Sequence, residues 1–228
     1  MRRKCCCAKR AVLVATGLLM VLARDAIGQV VINEIMYNPG PDATAPDSDY
    51  EFVELYNTTA SDISFGDSPG WTLVEGGDTH TLTGTIAGYG FYVLTNKGTA
   101  GNPDVAGFRD YYNVPSGATV AYFGLGLLNS GESLTLKHGT GQIESFTYGT
   151  GAPWPSVSEN YSLERYDPGV SGSQASNWAE SLVAKGTPGR VNSVVPEPAN
   201  FALFAVGAAC LLGVRRTRVR RRAEGKDS

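Results

Sequence analysis

Ser133-Leu134-Thr135-Leu136-Lys137-His138-Gly139-Thr140-Gly141-Gln142-Ile143-Glu144-Ser145-Phe146-Thr147-Tyr148 reads as a β-hairpin with Gly-Thr-Gly at its tip. The same pattern extends both ways. From Val30 to about Asn192, short apolar and β-branched runs alternate with clusters of Gly, Pro, Asn, Asp and Ser, and no stretch sustains helical spacing. Strands are predicted at Val30 to Tyr37, Tyr50 to Asn57, Trp71 to Val74, Thr79 to Thr83 and Phe91 to Thr95. Further strands are predicted at Thr119 to Gly124, Ser133 to His138, Ile143 to Tyr148 and Tyr161 to Tyr166. Asn38-Pro39-Gly40, Glu75-Gly76-Gly77 and Asn129-Ser130-Gly131 supply turns between them. The expectation is an all-β chain folded as a single two-sheet sandwich, large enough to bury a core unaided. Lys97 to Ser116 is expected to be a long loop with a short turn around Phe108 to Tyr112, and Ser171 to Ser176 an exposed connection.

Both ends of the 228-residue chain have compositions that no globular core uses. Arg2, Arg3, Lys4, Lys9 and Arg10 precede an uncharged, almost wholly apolar run from Ala11 to Ala23. Ala26-Ile27-Gly28 then places small residues where a signal peptidase needs them, before Gln29. A signal peptide over residues 1–28 is the favoured reading. Arg24 and Asp25 within the cleavage region keep an uncleaved anchor as its competitor.

Charge is distributed unevenly. Between Gln29 and Val195 there are six basic and eighteen acidic residues, a net charge near -12, against -3 for the whole chain. Such a surface repels phosphate backbones, so nucleic acid is not an expected partner. All four cysteines lie outside this stretch, at Cys5, Cys6, Cys7 and Cys210. The middle must therefore fold on its core alone, without disulfides or thiolate chemistry.

Several segments, in order, resemble the lamin tail domain, an immunoglobulin-like sandwich. They begin with Val31-Ile32-Asn33-Glu34-Ile35-Met36-Tyr37-Asn38-Pro39 and Tyr50-Glu51-Phe52-Val53-Glu54-Leu55-Tyr56-Asn57. Gly70-Trp71-Thr72-Leu73, Ala87 to Leu94, Leu128 to Leu136, Tyr161-Ser162-Leu163-Glu164-Arg165, Trp178 and Thr187-Pro188-Gly189-Arg190-Val191-Asn192 continue the series. The resemblance implies an immunoglobulin-like β-sandwich over residues 29–192. The Lys97 to Ser116 insertion departs from it. Trp71 and Trp178 are expected to be core or edge-covering aromatics rather than ligand platforms.

Few residues point to chemistry. Asp42, Asp47, Asp49 and Glu51 cluster around one loop, and hard oxygen ligands so placed are what calcium takes. Their spacing does not match an EF-hand loop, and alternation puts Glu51 and Glu54 on opposite strand faces, so structural or solvated roles are favoured. His80 and His138 sit in no metal-ligand motif, and no serine has a G-x-S-x-G setting. No catalytic residue, cofactor or metal is assigned. Acid pairs leave a secreted hydrolase with a carboxylate or divalent-metal site, acting on polysaccharide or a phosphoester, as the alternative.

The C-terminus carries the sharpest signal. Val195 and Pro196-Glu197-Pro198 are followed by the apolar run Ala199 to Val214 and then Arg215, Arg216, Arg218, Arg220, Arg221 and Arg222. This resembles the PEP-CTERM tripartite sorting signal, which implies recognition by an exosortase, a membrane-embedded cysteine protease. A plain tail anchor is the competing reading. As a helix the run would be about 24 Å long, short of a hydrocarbon core of about 30 Å, and snorkelling arginines can make up the difference. The arginines would stay cytoplasmic and leave the sandwich outside. The division expected is a linker over 193–198, a transmembrane segment over 199–214 and a basic cytoplasmic tail over 215–228. The chain is thus read as a noncatalytic exported cell-surface or extracellular-matrix protein. Its expected partners are signal peptidase, an exosortase, the membrane, and an exopolysaccharide or envelope protein.

Overall fold

The computed structural model describes residues 29–40 and 46–196. In chain order its strands are β1 (Val30–Met36), β2 (Phe52–Asn57), β3 (Ile63–Ser64), β4 (Trp71–Glu75), β5 (Asp78–Thr81), β6 (Thr85–Ile86) and β7 (Phe91–Thr95). After β8 (Gly98–Thr99) and β9 (Asn102–Pro103) comes the helix α1 (Val105–Tyr112). The remaining strands are β10 (Thr119–Tyr122), β11 (Ser133–His138), β12 (Gly141–Thr147), β13 (Leu163–Arg165) and β14 (Trp178–Glu180).

Two sheets form the sandwich that the alternation predicts. One has the order β10-β7-β2-β1-β13-β14 and the other β12-β11-β4-β5, while β3–β6 and β8–β9 form short ribbons. Every pairing is antiparallel except β10 with β7. Ile32, Ile35, Val53, Leu55, Tyr92 and Leu94 from the first sheet meet Leu73, Leu134, Leu136 and Phe146 from the second in one buried core. The hairpin from Ser133 lies where its sequence predicts, with His138 opposite Gly141 at the tip.

The larger sheet is covered on both faces, which the alternation does not announce. Phe108 and Tyr112, four residues apart on α1, bury against Met36, Phe52, Val93 and Val120 on its outward side. This corrects the long loop expected for Lys97 to Ser116. The Asp104 carboxylate accepts from Gly107 N–H at 2.9 Å to start the helix, and Asn113 ends it at φ 50°. Eight residues with an internal glycine carry little intrinsic helicity; packing of the two aromatic rings supplies what propensity lacks. The connection from Ser171 to Ser176 is mostly exposed, as expected, with Gly172 buried within it and Ala175–Asn177 forming a 3₁₀ turn. Tyr50 belongs to a 3₁₀ turn, Asp47–Tyr50, rather than to the strand that follows.

A bulge between Ile32 and Glu34 shifts the register of β1, so that Ile32 and Ile35 both face the core although three positions apart. Glu34 then faces the opposite way. In register it lies beside Glu54 of β2 and beside Glu164 of β13, which lines three carboxylates across three neighbouring strands. All three are fully buried.

Candidate functional site: buried carboxylates that hold irregular chain

Three adjacent buried carboxylates need donors, because removing charge from water without partners costs several kcal/mol per group. Most of the donors come from Ser181 to Val195, a strap laid over the outward face of the first sheet. Glu34 Oε1 accepts from Thr187 N–H at 2.8 Å and from the Ser162 hydroxyl at 2.6 Å. Glu54 accepts from Gly189 N–H at 2.5 Å and from the Asn33 side-chain amide at 2.8 Å. Glu164 accepts from the Thr187 hydroxyl at 2.8 Å, the Ser193 hydroxyl at 2.7 Å and Val194 N–H at 3.0 Å. Asn192 completes the lock, its side-chain amide donating to the backbone carbonyls of Asn33 and Arg165. Thr187-Pro188-Gly189 thus donates to all three carboxylates of the row. The strap's hydrogen bonds run past Asn192, so the first residues of the expected linker are held by the domain.

Gly186 shows how closely the strap lies. It sits at φ 66°, and a Cβ there would fall 2.1 Å from Glu34 Oε1 and 2.3 Å from Ser162 Oγ. Gly186→Ala is expected to lower the stability of the Gln29 to Val195 fragment by about 2 kcal/mol, through left-handed strain and displacement of a buried carboxylate. Urea unfolding of the two fragments measures this. An unchanged midpoint would show that the strap is loose.

The same device recurs elsewhere. Three carboxylates from three different segments receive three consecutive backbone N–H groups: Glu75 takes Gly126 at 2.8 Å, Glu51 takes Leu127 at 2.9 Å and Glu132 takes Leu128 at 2.7 Å. Glu144 accepts from Ile32 N–H at 2.9 Å at the β1 bulge and from Gly172 N–H at 2.9 Å. Its partner Arg165 is fully buried, pairs with it at 2.9 Å and donates to the Ile32 carbonyl at 2.7 Å. Ordinary ladders cannot satisfy a bulge or an irregular loop, and an inward carboxylate can.

Burial raises several of these groups. Desolvation pushes Glu54 up to about 8 and Glu51 up to about 7. Glu34 stands well above the usual carboxylate range, first because it is buried and then because Glu54 and Glu164 lie beside it. In a cleft such shifts would mark an acid–base site. Here each group lies under covering chain and accepts hydrogen bonds from it.

The loop considered for calcium is differently occupied. Asp49 lies 3.4 Å from Lys97 Nζ, Glu51 turns inward to Leu127, and Asp42 lies outside the described residues. Glu51 and Glu54 serve separate parts of the fold. Among the described residues no group of three or more His, Cys, Asp or Glu side chains is placed to hold a metal ion. His80 Nε2 lies 3.0 Å from Glu75, while His138 stacks on Trp71 at 4.7 Å. Trp71 and Trp178 are core aromatics, and the Trp178 indole N–H donates to the Gly172 carbonyl at 2.8 Å. Of the C-terminal features, Pro196 is described; Glu197, Pro198, the Ala199 to Val214 run and the six arginines lie outside the described residues, as does the leader. No described helix is long and apolar enough to cross a membrane.

Glu34 and Glu54 stand out in sequence as charges inside apolar strands. Glu164, Ser162, Thr187 and Asn192 do not, because their role depends on a strap remote from the first two strands. Arg165 carried one signal, a cation in the short strand Leu163–Arg165, but nothing local says that it is buried.

An immunoglobulin-like sandwich whose carboxylates hold its own loops is a scaffold class. The lamin tail domain family profile matches residues 23–165, more than half of the chain, and the chain belongs to this family. That family consists of non-enzymatic immunoglobulin-like domains. The match ends at Arg165, before the strap. No curated protein matches the chain.

Proposed function

We propose that the chain is an exported cell-surface or extracellular-matrix protein, a noncatalytic lamin-tail-like binding or structural module delivered by an exosortase-type system. The observation that carries the noncatalytic part is the use made of buried acid. Glu34, Glu51, Glu54, Glu75, Glu132, Glu144 and Glu164 all accept hydrogen bonds that secure bulge, loop or strap. A hydrolase would need a carboxylate pair open to substrate across a cleft. Secured in this way, the module has its surface to offer, to an exopolysaccharide or an envelope protein. Its strong acidity weighs against nucleic acid.

Support for sorting comes from the sequence beyond the strap. Val194 is pinned to Glu164, and Pro196-Glu197-Pro198, an apolar run and six arginines follow directly. Proline on both sides of Glu197 disfavours a helix there, which suits a junction that a protease must reach. In a cell that makes an exosortase, alanine at Pro196, Glu197 and Pro198 should leave a full-length precursor in the membrane. Deleting Pro196 to Ser228 should release a soluble domain. Immunoblotting of membrane and medium fractions reads both, and processing of the alanine variant like the parent would reduce the tail to a simple anchor.

A further inference from the structure

The strap has a second side, facing away from the glutamates. Of six large hydrophobic residues exposed among the described residues, three lie on it: Leu182 at 74%, Val191 at 66% and Val183 at 46%. Leu182 N–H donates to the Ser193 hydroxyl at 2.7 Å, which brings it against the segment that carries Val191 and Val195. A fourth, Tyr89, borders the same segment. With Tyr56, Phe91, Pro168, Val191 and Val195 it lines an open groove of about 400 Å³. Single exposed apolar residues are ordinary on a protein surface, but a group of them along one segment is a contact surface.

Charge separates this segment from the rest. Ser181 to Val195 contains no Asp or Glu and includes Lys185 and Arg190, two of the six cations in a stretch with eighteen acids. Position then selects the partner. From Val195 to Ala199 there are four residue steps, two of them into proline, and at about 3.1 Å per residue in extended form they reach about 12 Å. If Ala199 enters hydrocarbon, the interfacial layer of about 6 Å takes up roughly half of that reach. The strap then has no room to stand clear of the bilayer.

We propose that Leu182, Val183, Val191 and Tyr89 form a membrane seat. In the anchored precursor they rest in the headgroup region of a bilayer with anionic lipid, which the strap's net positive charge favours at longer range, since Lys185 stands over the Tyr111 ring and Arg190 donates to the Asn113 carbonyl. This rests on the membrane-anchor reading above. Valine, leucine and tyrosine side chains suit that layer, because it takes apolar groups and leaves a phenol hydroxyl wet. The seat fixes the domain's orientation and holds Pro196-Glu197-Pro198 at the membrane surface, where an embedded protease works.

The test uses the full chain with Cys5, Cys6, Cys7 and Cys210 replaced by serine and a single cysteine introduced for an environment-sensitive fluorophore. Val191→Cys and Leu182→Cys report on the seat; Thr147→Cys, on the outward face of the second sheet, is the control. Each is reconstituted in phosphatidylcholine–phosphatidylglycerol vesicles. At 191 and 182 the emission should shift to the blue and lose intensity to nitroxide-labelled headgroups, whereas at 147 it should match the label in water. Vesicle-bound protein in which all three labels read as water overturns the seat and leaves the anchor standing. Failure of the chain to float with vesicles overturns the anchor, and the seat with it.

Discussion

Arg165→Met should cost the Gln29 to Val195 domain about 3–5 kcal/mol, read as a fall in the urea midpoint, because it strips the partner from a buried charge. Arg165 is fully buried and its guanidinium is shared among four neighbours. It pairs with Glu144 at 2.9 Å, donates to the Ile32 carbonyl at 2.7 Å and to the Val170 carbonyl, and lies 5.7 Å from the Trp178 ring centroid. Glu144 cannot follow it out to water, since it also receives Ile32 and Gly172 N–H groups. Methionine replaces much of the volume, so the loss reports the unpaired carboxylate and the orphaned carbonyls rather than a cavity. Adding Glu144→Gln to Arg165→Met should recover part of it. A fall below about 1 kcal/mol for the single variant would show that water reaches the pair.

The second large effect is on pH. Glu54 is held up to about 8, Glu51 up to about 7 and Glu34 well above the ordinary range, all chiefly by burial. For a carboxyl raised in the folded state, the unfolded chain releases its proton first as pH climbs. The stabilisation is complete below the unfolded value near 4.5 and is lost as pH rises through 7 and 8. From pH 5 to pH 9 the domain should lose on the order of a few kcal/mol, or roughly 10 °C in melting temperature. Melts followed by circular dichroism at fixed ionic strength measure the slope. Glu54→Gln, which copies the protonated form, should flatten it. A melting temperature that holds steady or climbs from pH 5 to pH 9 would mean that the row is ionised and paid for by the strap's N–H groups.

Both predictions depend on burial, where sequence and structure diverge. Alternation in Ser133 to Tyr148, with Gly-Thr-Gly at its tip, determined a hairpin because side-chain direction and turn chemistry are local properties. Segment by segment the same logic determined an all-β sandwich, and the ordered resemblance named its family. Cysteine placement and charge were equally legible, being composition. Alternation reports which side chains share a face, not what later covers that face. Glu34 reads as one charge in an apolar strand; only tertiary structure puts Glu54 and Glu164 beside it and brings Thr187 N–H from 153 residues away. Phe108 and Tyr112 likewise make a helix because the outward face of the first sheet awaits them, which eight residues cannot declare alone. Long-range contacts decided where the acids went, since a buried carboxylate is stable only where distant chain supplies its donors.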